Sequence, residues 1–303
     1  MDRKTINALL ARIESTEIGT GSARVKSVVN RIVQDLFYTI EDLDVQPAEF
    51  WSALNYLADA GRSNEFGLIA AGLGFEHFLD LRLDEAETKA GIEGGTPRTI
   101  EGPLYVAGAP ESVGEARLDD DSEEGEILVM QGYVRGADGA PLSNALVEVW
   151  HANGLGNYSF FDNTQSHFNL RRGIRTDALG RYRFRTIMPT GYSVPPSGAT
   201  EQLLDQLGRH GTRPAHIHFF VSADNFRKLT TQINIDGDPF LWDDFAFATR
   251  DGLVPEIKRI SDPKELDVYR VNVPFALIEF DFTLHSEQKN APSSEVERLR
   301  VSA

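Results

Sequence analysis

The sequence predicts a mixed α and β protein, with a helical N-terminal domain over residues 1–103 and an antiparallel β-sandwich over residues 104–303. Three observations carry this. Over roughly the first hundred residues, apolar side chains recur three and four apart, the spacing of one helix face. From residue 127 onward they alternate with period two, in segments separated by Gly, Pro and Asp. Between these textures, residues 91–110 are rich in Gly and Pro.

The helical half starts with MDRKTINALLARIESTE, an amphipathic segment with early acidic residues rather than the uninterrupted apolar core of a signal peptide. Val25, Val28, Val29, Ile32, Val33, Leu36, Phe37 and Ile40 then make one long stripe. Pro47 suits a first helical turn, Phe50, Trp51, Leu54 and Leu57 continue the pattern, and Gly61 ends it. Ser63 or Asn64 is expected to cap one further helix through GLIAAGLGFEHFLDL. An acidic run, LDDDSEEGE at 118–126, lacks the ligand spacing and central Gly of an EF-hand and reads as a solvated connection.

The β half opens with ILVMQGYVRG, then ADGAPL, then ALVEVWH, a strand–turn–strand pattern with Asp138-Gly139 at the turn. RYRFRTI, HIHFFVSA, LTTQINI and ALIEFDFTL follow, each with strand alternation. In the last, Ile278, Phe280, Phe282 and Leu284 are expected on one face. Many strands, many turns and few intervening helices argue a sandwich.

Composition narrows the function. Hydrophobic residues at 41% and charged residues at 25% match an ordinary globular chain with a sizeable core. A formal net charge of -16 repels nucleic-acid phosphates, which argues against that class of partner. No apolar run reaches membrane length, so a cytoplasmic protein is expected. With no cysteine, disulfides and iron–sulfur clusters are excluded, and a metal must be held by nitrogen and oxygen.

The stretch RPAHIHFF, residues 213–220, is the chemically informative one. On a strand His216 and His218 share a face and Ile217 takes the other. Buried, hydrogen-bonded histidines are the plain alternative to a metal pair. Arg213 opens the segment, with Pro and Ala leaving space beside it, and GTRPAH places the pair at a strand entrance. Upstream, Tyr158 in NGLGNYSFFD and Tyr192 in MPTGYSVPP sit in glycine-rich loops, where a phenol caps a carbonyl or binds a ligand. Two imidazoles and two phenolates together suit Fe(III), a hard ion that lowers the phenol pKa. Zinc sites seldom use tyrosine, and ferrous oxygenases favour two histidines and a carboxylate. His77 reads as a helix-face hydrogen bond and His210 as a loop residue.

The segments GTPRTIEGPLYVAGAP, VEVWHANGLGNYSFFD, TDALGRYRFRTIMPTGY, LGRHGTRPAHIHFF, LTTQIN and LWDDFAFATRDGL resemble the intradiol ring-cleavage dioxygenases over most of the chain. That resemblance implies one Fe(III) per subunit, held by Tyr158, Tyr192, His216 and His218. It places the active-site arginine and glutamine on Arg213 and Gln232 and makes His151 a structural strand end. The implied pocket walls are Leu68, Ala71, Ile100, Pro103, Leu104, Phe245 and Ala246. The implied reaction takes catechol and O2 to cis,cis-muconate, with Tyr192 accepting a substrate proton. A homodimer through the N-terminal helices, enclosing phospholipid tails, is also implied. Ala71 stands where some relatives have proline, which bears on which substituted catechols fit.

Rival readings remain. Hydroxyquinol or chlorocatechol cleavage keeps the chemistry and changes the substrate, but the full IEGPLYVAGAP segment and the chain length favour catechol. A non-catalytic β-sandwich that binds a small apolar ligand has no need of the two tyrosines. An extradiol enzyme wants Fe(II) and a carboxylate ligand in their place.

Overall fold

A computed structural model of the 303-residue chain describes residues 1–17, 19–120 and 123–287, together with the backbone of 301–302. It contains two compact units, residues 1–63 and the chain from Asn64 onward.

In the first unit, α1 (Arg3–Glu14) is capped by Asp2, whose carboxylate accepts from the Thr5 amide at 2.7 Å. It packs on α2 (Ala23–Asp42) through the buried Ile6 and Leu10. The α3 helix (Pro47–Arg62) starts at its proline behind a Gln46/Glu49 capping box and ends one residue past Gly61. The predicted stripe is real but uncovered: no residue of α2 is buried, and Val25, Val29, Ile32 and Leu36 are exposed, as are Phe50, Trp51 and Leu57 of α3.

In the second unit, the single helix expected after Ser63 is two. These are α4 (Phe66–Gly72) and α5 (Phe75–Lys89), separated at Gly74, whose φ of 79° no right-handed helix accommodates. The residue preceding α4 is Glu65 rather than Ser63 or Asn64. Its buried carboxylate serves elsewhere, accepting from the Ala199 and Thr200 amides at the start of α6 (Ala199–Gln206). A short α7 (Pro263–Tyr269) completes the helices.

The described strands are, in order, β1 (Val106–Ala107), β2 (Glu111–Val113), β3 (Glu115–Arg117), β4 (Ile127–Gly136) and β5 (Leu146–His151). Then come β6 (Arg171–Arg175), β7 (Arg181–Ile187), β8 (Tyr192–Ser193), β9 (Thr212–Arg213) and β10 (His216–Ser222). The last are β11 (Leu229–Asn234), β12 (Ile257–Ile260), β13 (Phe275–Glu279), β14 (Phe282–Leu284) and β15 (Val301–Ser302). One sheet runs β11-β10-β5-β6-β2; a second runs β12-β13-β4-β7-β3, with β14 also on β4. The long pairs and β12-β13 are antiparallel, while β13 and β14 join β4, β2 joins β6 and β3 joins β7 in parallel. The main core combines Met130, Phe184 and Ile278 of one sheet with Val149, Ile217, Phe219 and Ile233 of the other.

Two strand expectations need correction. The Asp138-Gly139 turn forms, with the Gly136 amide donating to Ala140 O at 2.8 Å, but β4 and β5 do not pair. After Pro141 the chain leaves for the other sheet, turning at Asn144 (φ 58°). ALIEFDFTL is likewise interrupted: β13 and β14 both lie on β4, and between them the Phe280 carbonyl presses on Gly132. A Cβ at Gly132 would stand 1.7 Å from that oxygen, so only glycine fits. The acidic run is also not wholly solvated. Leu118 is buried and bonded to Arg185 O and Leu170 N, and Asp119 pairs with Arg117; residues 121–122 lie outside the described residues.

His151 ends β5 as expected, fully buried, its Nδ1–H donating to Ala152 O and its Nε2 accepting from Thr186 Oγ1, both at 2.7 Å. Burial pulls its pKa from 6.5 down to about 4. The unfolded chain therefore binds the proton first, and stability falls as pH drops from 6.5 towards 4. That shift is worth on the order of 3 kcal/mol. Replacing His151 with Gln is expected to flatten this part of the stability–pH curve, as read by denaturant melts of metal-free protein at pH 7 and pH 4.5.

Candidate metal centre and substrate cavity

Alternation along β10 sends Ile217, Phe219 and Val221 into the core and leaves His216 and His218 on the opposite face. Both histidines are 1% exposed. His218 lies in register with Trp150 of β5, and the two rings stack at 5.0 Å and 5°. The Nδ1–H of His216 donates to Pro214 O at 2.6 Å, which fixes the tautomer and leaves the Nε2 lone pair open. The two Nε2 atoms face each other at 3.0 Å. Burial, then the Arg213 charge, brings the His216 pKa to about 3; burial and His216 put His218 well below its ordinary value. Both rings are neutral at pH 7, the form that ligates metals.

Tyr158 and Tyr192 come from loops that brace each other. Gly156 (φ 81°) lets the first loop turn against the second, its Cβ position only 3.0 Å from Gly191 O and 3.1 Å from Tyr192 Cβ. Asn153 closes the first loop by accepting from the Leu155 and Asn157 amides, each at 3.0 Å. Tyr192 is fixed by strand β8, in register with Arg213 of β9. The two phenol rings meet edge to face at 5.4 Å, and Tyr192 lies 5.5 Å from the His216 ring. Tyr158 is buried, and its hydroxyl has no hydrogen-bond partner among the described residues. Burial, then Tyr192, pushes the Tyr158 phenol well above its usual range. Only a strongly charged ion at that oxygen makes the phenolate stable there.

Arg213, 3% exposed, gives Nε and Nη2 to the two oxygens of Asp244 at 3.2 and 3.0 Å and Nη2 to Gln232 Oε1 at 2.8 Å. Its Nη1 lies 3.0 Å from His216 Nε2. Burial opposes the charge, but Asp244 and the two tyrosines hold the guanidinium pKa above its normal value.

Part of this cluster borders a cavity of about 260 Å³, while His216 and His218 stand behind its lining, His216 against Arg213 and Tyr192. All seven predicted wall residues line it, Leu68 and Ala71 from α4, Ile100, Pro103 and Leu104 from the segment before β1, and Phe245 and Ala246 from the loop after β11. Tyr158, Tyr192 and Arg213 line it too, while Gln232 reaches it through Arg213. A larger cavity of about 930 Å³ lies beside α5. Its arginines are paired with acids (Arg98 and Arg250 with Asp84, Arg227 with Glu87), and no histidine–tyrosine set lines it. Among the described residues no three His, Cys, Asp or Glu side chains cluster as metal ligands, so a metal here depends on the tyrosines.

Two buried charges beside the phenols and Arg213 carry no signal in the sequence. Asp244 lies in LWDDFAFATRDGL, where nothing local distinguishes it from Asp243. Arg171, 1% exposed, donates to Ser159 Oγ, Ser159 O and Leu104 O and sits 5.7 Å from the Tyr158 ring, with no carboxylate partner among the described residues. Alternation on β6 sets it on the face opposite the core residue Ile174, with Arg175, and gives no sign of its burial.

Residues 100–286 match the family model described as "Dioxygenase", and residues 22–91 match "Catechol dioxygenase N terminus". Catechol 1,2-dioxygenase 2 of Acinetobacter lwoffii is 73% identical over 86% of this chain and 94% of its own. The crystal structure of Acinetobacter radioresistens catechol 1,2-dioxygenase superposes with a TM-score of 0.95 at 57% identity, covering 100% of this chain and 99% of that one. A hydroxyquinol 1,2-dioxygenase of Rhizobium and a chlorocatechol 1,2-dioxygenase of Cupriavidus pinatubonensis are 29% and 34% identical, over 94% and 77% of this chain.

Proposed function

The chain belongs to the intradiol dioxygenase family, and on that footing we propose that it cleaves catechol with O2 between the two hydroxyl-bearing carbons, giving cis,cis-muconate. One observation carries this most: a buried phenol without a hydrogen-bond partner among the described residues lines an apolar-walled cavity, and two neutral imidazoles with facing Nε2 atoms stand directly behind that lining, against Tyr192 and Arg213. His216, His218, Tyr158 and Tyr192 would hold Fe(III), one per subunit. Bound there, ferric iron would withdraw electron density from a chelated catecholate and make its ring reactive toward O2.

The chain's own groups do the rest. His216 and His218 bind as neutral donors. Tyr158 is the lasting anion, shielded from water by its burial. Tyr192, half-buried at the cavity edge, takes a catechol proton on Oη, so no separate base is needed. Arg213 presents positive charge where negative charge grows, in a site that excludes water. Gln232 holds Arg213 by its amide oxygen. Leu68, Ala71, Ile100, Pro103, Leu104, Phe245 and Ala246 clamp the ring in a slot of benzene size.

Catechol is favoured over hydroxyquinol or chlorocatechol because the relatives so named are far less similar to this chain. Protocatechuate is expected to turn over at least about a hundredfold less efficiently in kcat/KM than catechol. A buried carboxylate needs a cation, the Arg213 charge is already matched by Asp244, and Glu76 adds a negative group to the wall. Equal efficiency for the two substrates would overturn the pocket assignment.

The test of function is reconstitution with Fe(III). The expected protein is wine-red from tyrosinate charge transfer, consumes one O2 per catechol and forms a dicarboxylate. A semialdehyde product, no uptake, or a colourless ferric protein would refute it.

Residues 1–103 serve in this proposal as the dimerisation domain, with phospholipid tails enclosed against it. The uncovered apolar faces of α2 and α3 support it, since apolar patches of that extent usually meet a partner. Sedimentation is expected to give a dimer, and solvent extraction a phospholipid; a monomer at every concentration would exclude the former. A cytoplasmic location fits an acidic chain in which, among the described residues, no helix is long and apolar enough to cross a membrane.

A further inference from the structure

We propose that Asp244 is a positioning residue that aims Arg213 into the catalytic cavity and locks that aim to the shape of the cavity wall. The proposal rests on the assignment of this cavity to the substrate.

The donors of Arg213 can be counted. A guanidinium has five N–H groups in a rigid plane. Nε–H and one Nη2–H go to the two oxygens of Asp244, and the other Nη2–H goes to Gln232 Oε1. The two Nη1–H groups are left, one of them against His216 Nε2. When that lone pair is given to a metal it can no longer accept from Nη1, and both Nη1–H groups become available to the substrate. Gln232 alone cannot fix their direction, because one hydrogen bond allows the plane to pivot. Two parallel bonds to a carboxylate do not.

The same carboxylate reaches the wall. Oδ1 also accepts from the Ala246 amide at 3.0 Å and Oδ2 from the Ala248 amide at 3.3 Å, which sets the loop carrying Phe245 and Ala246. Ala248 O in turn accepts from Thr99 Oγ1 at 3.1 Å, beside the wall residue Ile100. One buried side chain, 1% exposed, therefore governs both the charge that faces the substrate and the surface that clamps its ring. Stability alone does not call for such an ion pair in the interior, where well-packed apolar groups do as well or better.

The experiment uses iron-loaded, full-length enzyme with Asp244→Asn, Arg213→Gln and the double variant. Displacing a positioned group by about 1 Å costs about a hundredfold in rate. Asp244→Asn is therefore expected to lower kcat by about 30- to 100-fold, with the KM for catechol within about threefold. Iron content and the resting visible band are expected to match the parent. In the Arg213→Gln background the second substitution is expected to cost less than about twofold, since its target is already gone. Parental kcat in Asp244→Asn would overturn the proposal, as would loss of iron or of the resting band, or multiplicative losses in the double variant. Should Asp244→Asn not fold with its arginine uncompensated, the charge-neutral double variant against Arg213→Gln decides alone. Failure of the parent itself to show the band or turn over catechol refutes the functional assignment instead, so the two failures are separable.

Discussion

Tyr158→Phe is expected to abolish most of the visible band, weaken iron retention and lower kcat by about a thousandfold or more, roughly 4 kcal/mol of barrier. The buried hydroxyl has no hydrogen-bond partner among the described residues, so the substitution removes no hydrogen bond at that oxygen. Its removal deletes one polar atom that is costly to bury unmatched, and the metal-free variant is expected to melt at or slightly above the parent. The loss should therefore appear only when iron is added. The measurements are metal-free thermal stability, iron-to-protein ratio after a chelator challenge, and the visible spectrum. Parental colour and iron content would remove Tyr158 from the ligand set. A fall in metal-free stability of several degrees would instead make it a structural phenol.

The contrast between that residue and Arg171 shows what the sequence could carry. The face of β10 was legible because strand alternation is local: with Ile217 inward, His216 and His218 must share the other side. The tyrosines were legible because a large phenol among glycines has no local packing reason to be there. Arg171 and Asp244 were not. Their partners lie far away in sequence, Arg213 being 31 residues from Asp244 and Leu104 being 67 from Arg171, and nothing in the flanking residues records those contacts. The same limit explains the strand that turned away. Asp138-Gly139 makes the turn it should, but which sheet β5 joins is decided by β10 and β6, to which it pairs. Helix α5 was merged with α4 because the apolar spacing continues across Gly74, and only the left-handed φ there separates them. The pocket walls came from family resemblance and not from pattern; composition alone makes Leu68 or Phe245 ordinary core.

Tyr192→Phe is expected to keep iron but to bind catechol poorly, the reverse of the Tyr158 result. The two phenols differ in setting although their rings are 5.4 Å apart. Tyr158 is 4% exposed and enclosed by Trp150, Phe220 and Leu104, with the Arg171 guanidinium beside its ring. Tyr192 stands half-buried on a two-residue strand at the cavity edge, packed against the rim of that cluster rather than enclosed in it. Catechol must lose both protons to chelate as a dianion, and at neutral pH the second does not leave without an acceptor, its phenol being a weak acid. In the proposed reaction Tyr192, as a tyrosinate, would be that acceptor. Phenylalanine cannot take the proton. With His216, His218 and Tyr158 intact, the iron-to-protein ratio is expected to stay near the parent value. Anaerobic catechol titration is expected to show affinity at least about tenfold weaker, recovering as pH rises and solvent takes over as the base. A Tyr192→Phe enzyme that forms the red-shifted catecholate band as readily as the parent at pH 7 would show that the proton goes elsewhere.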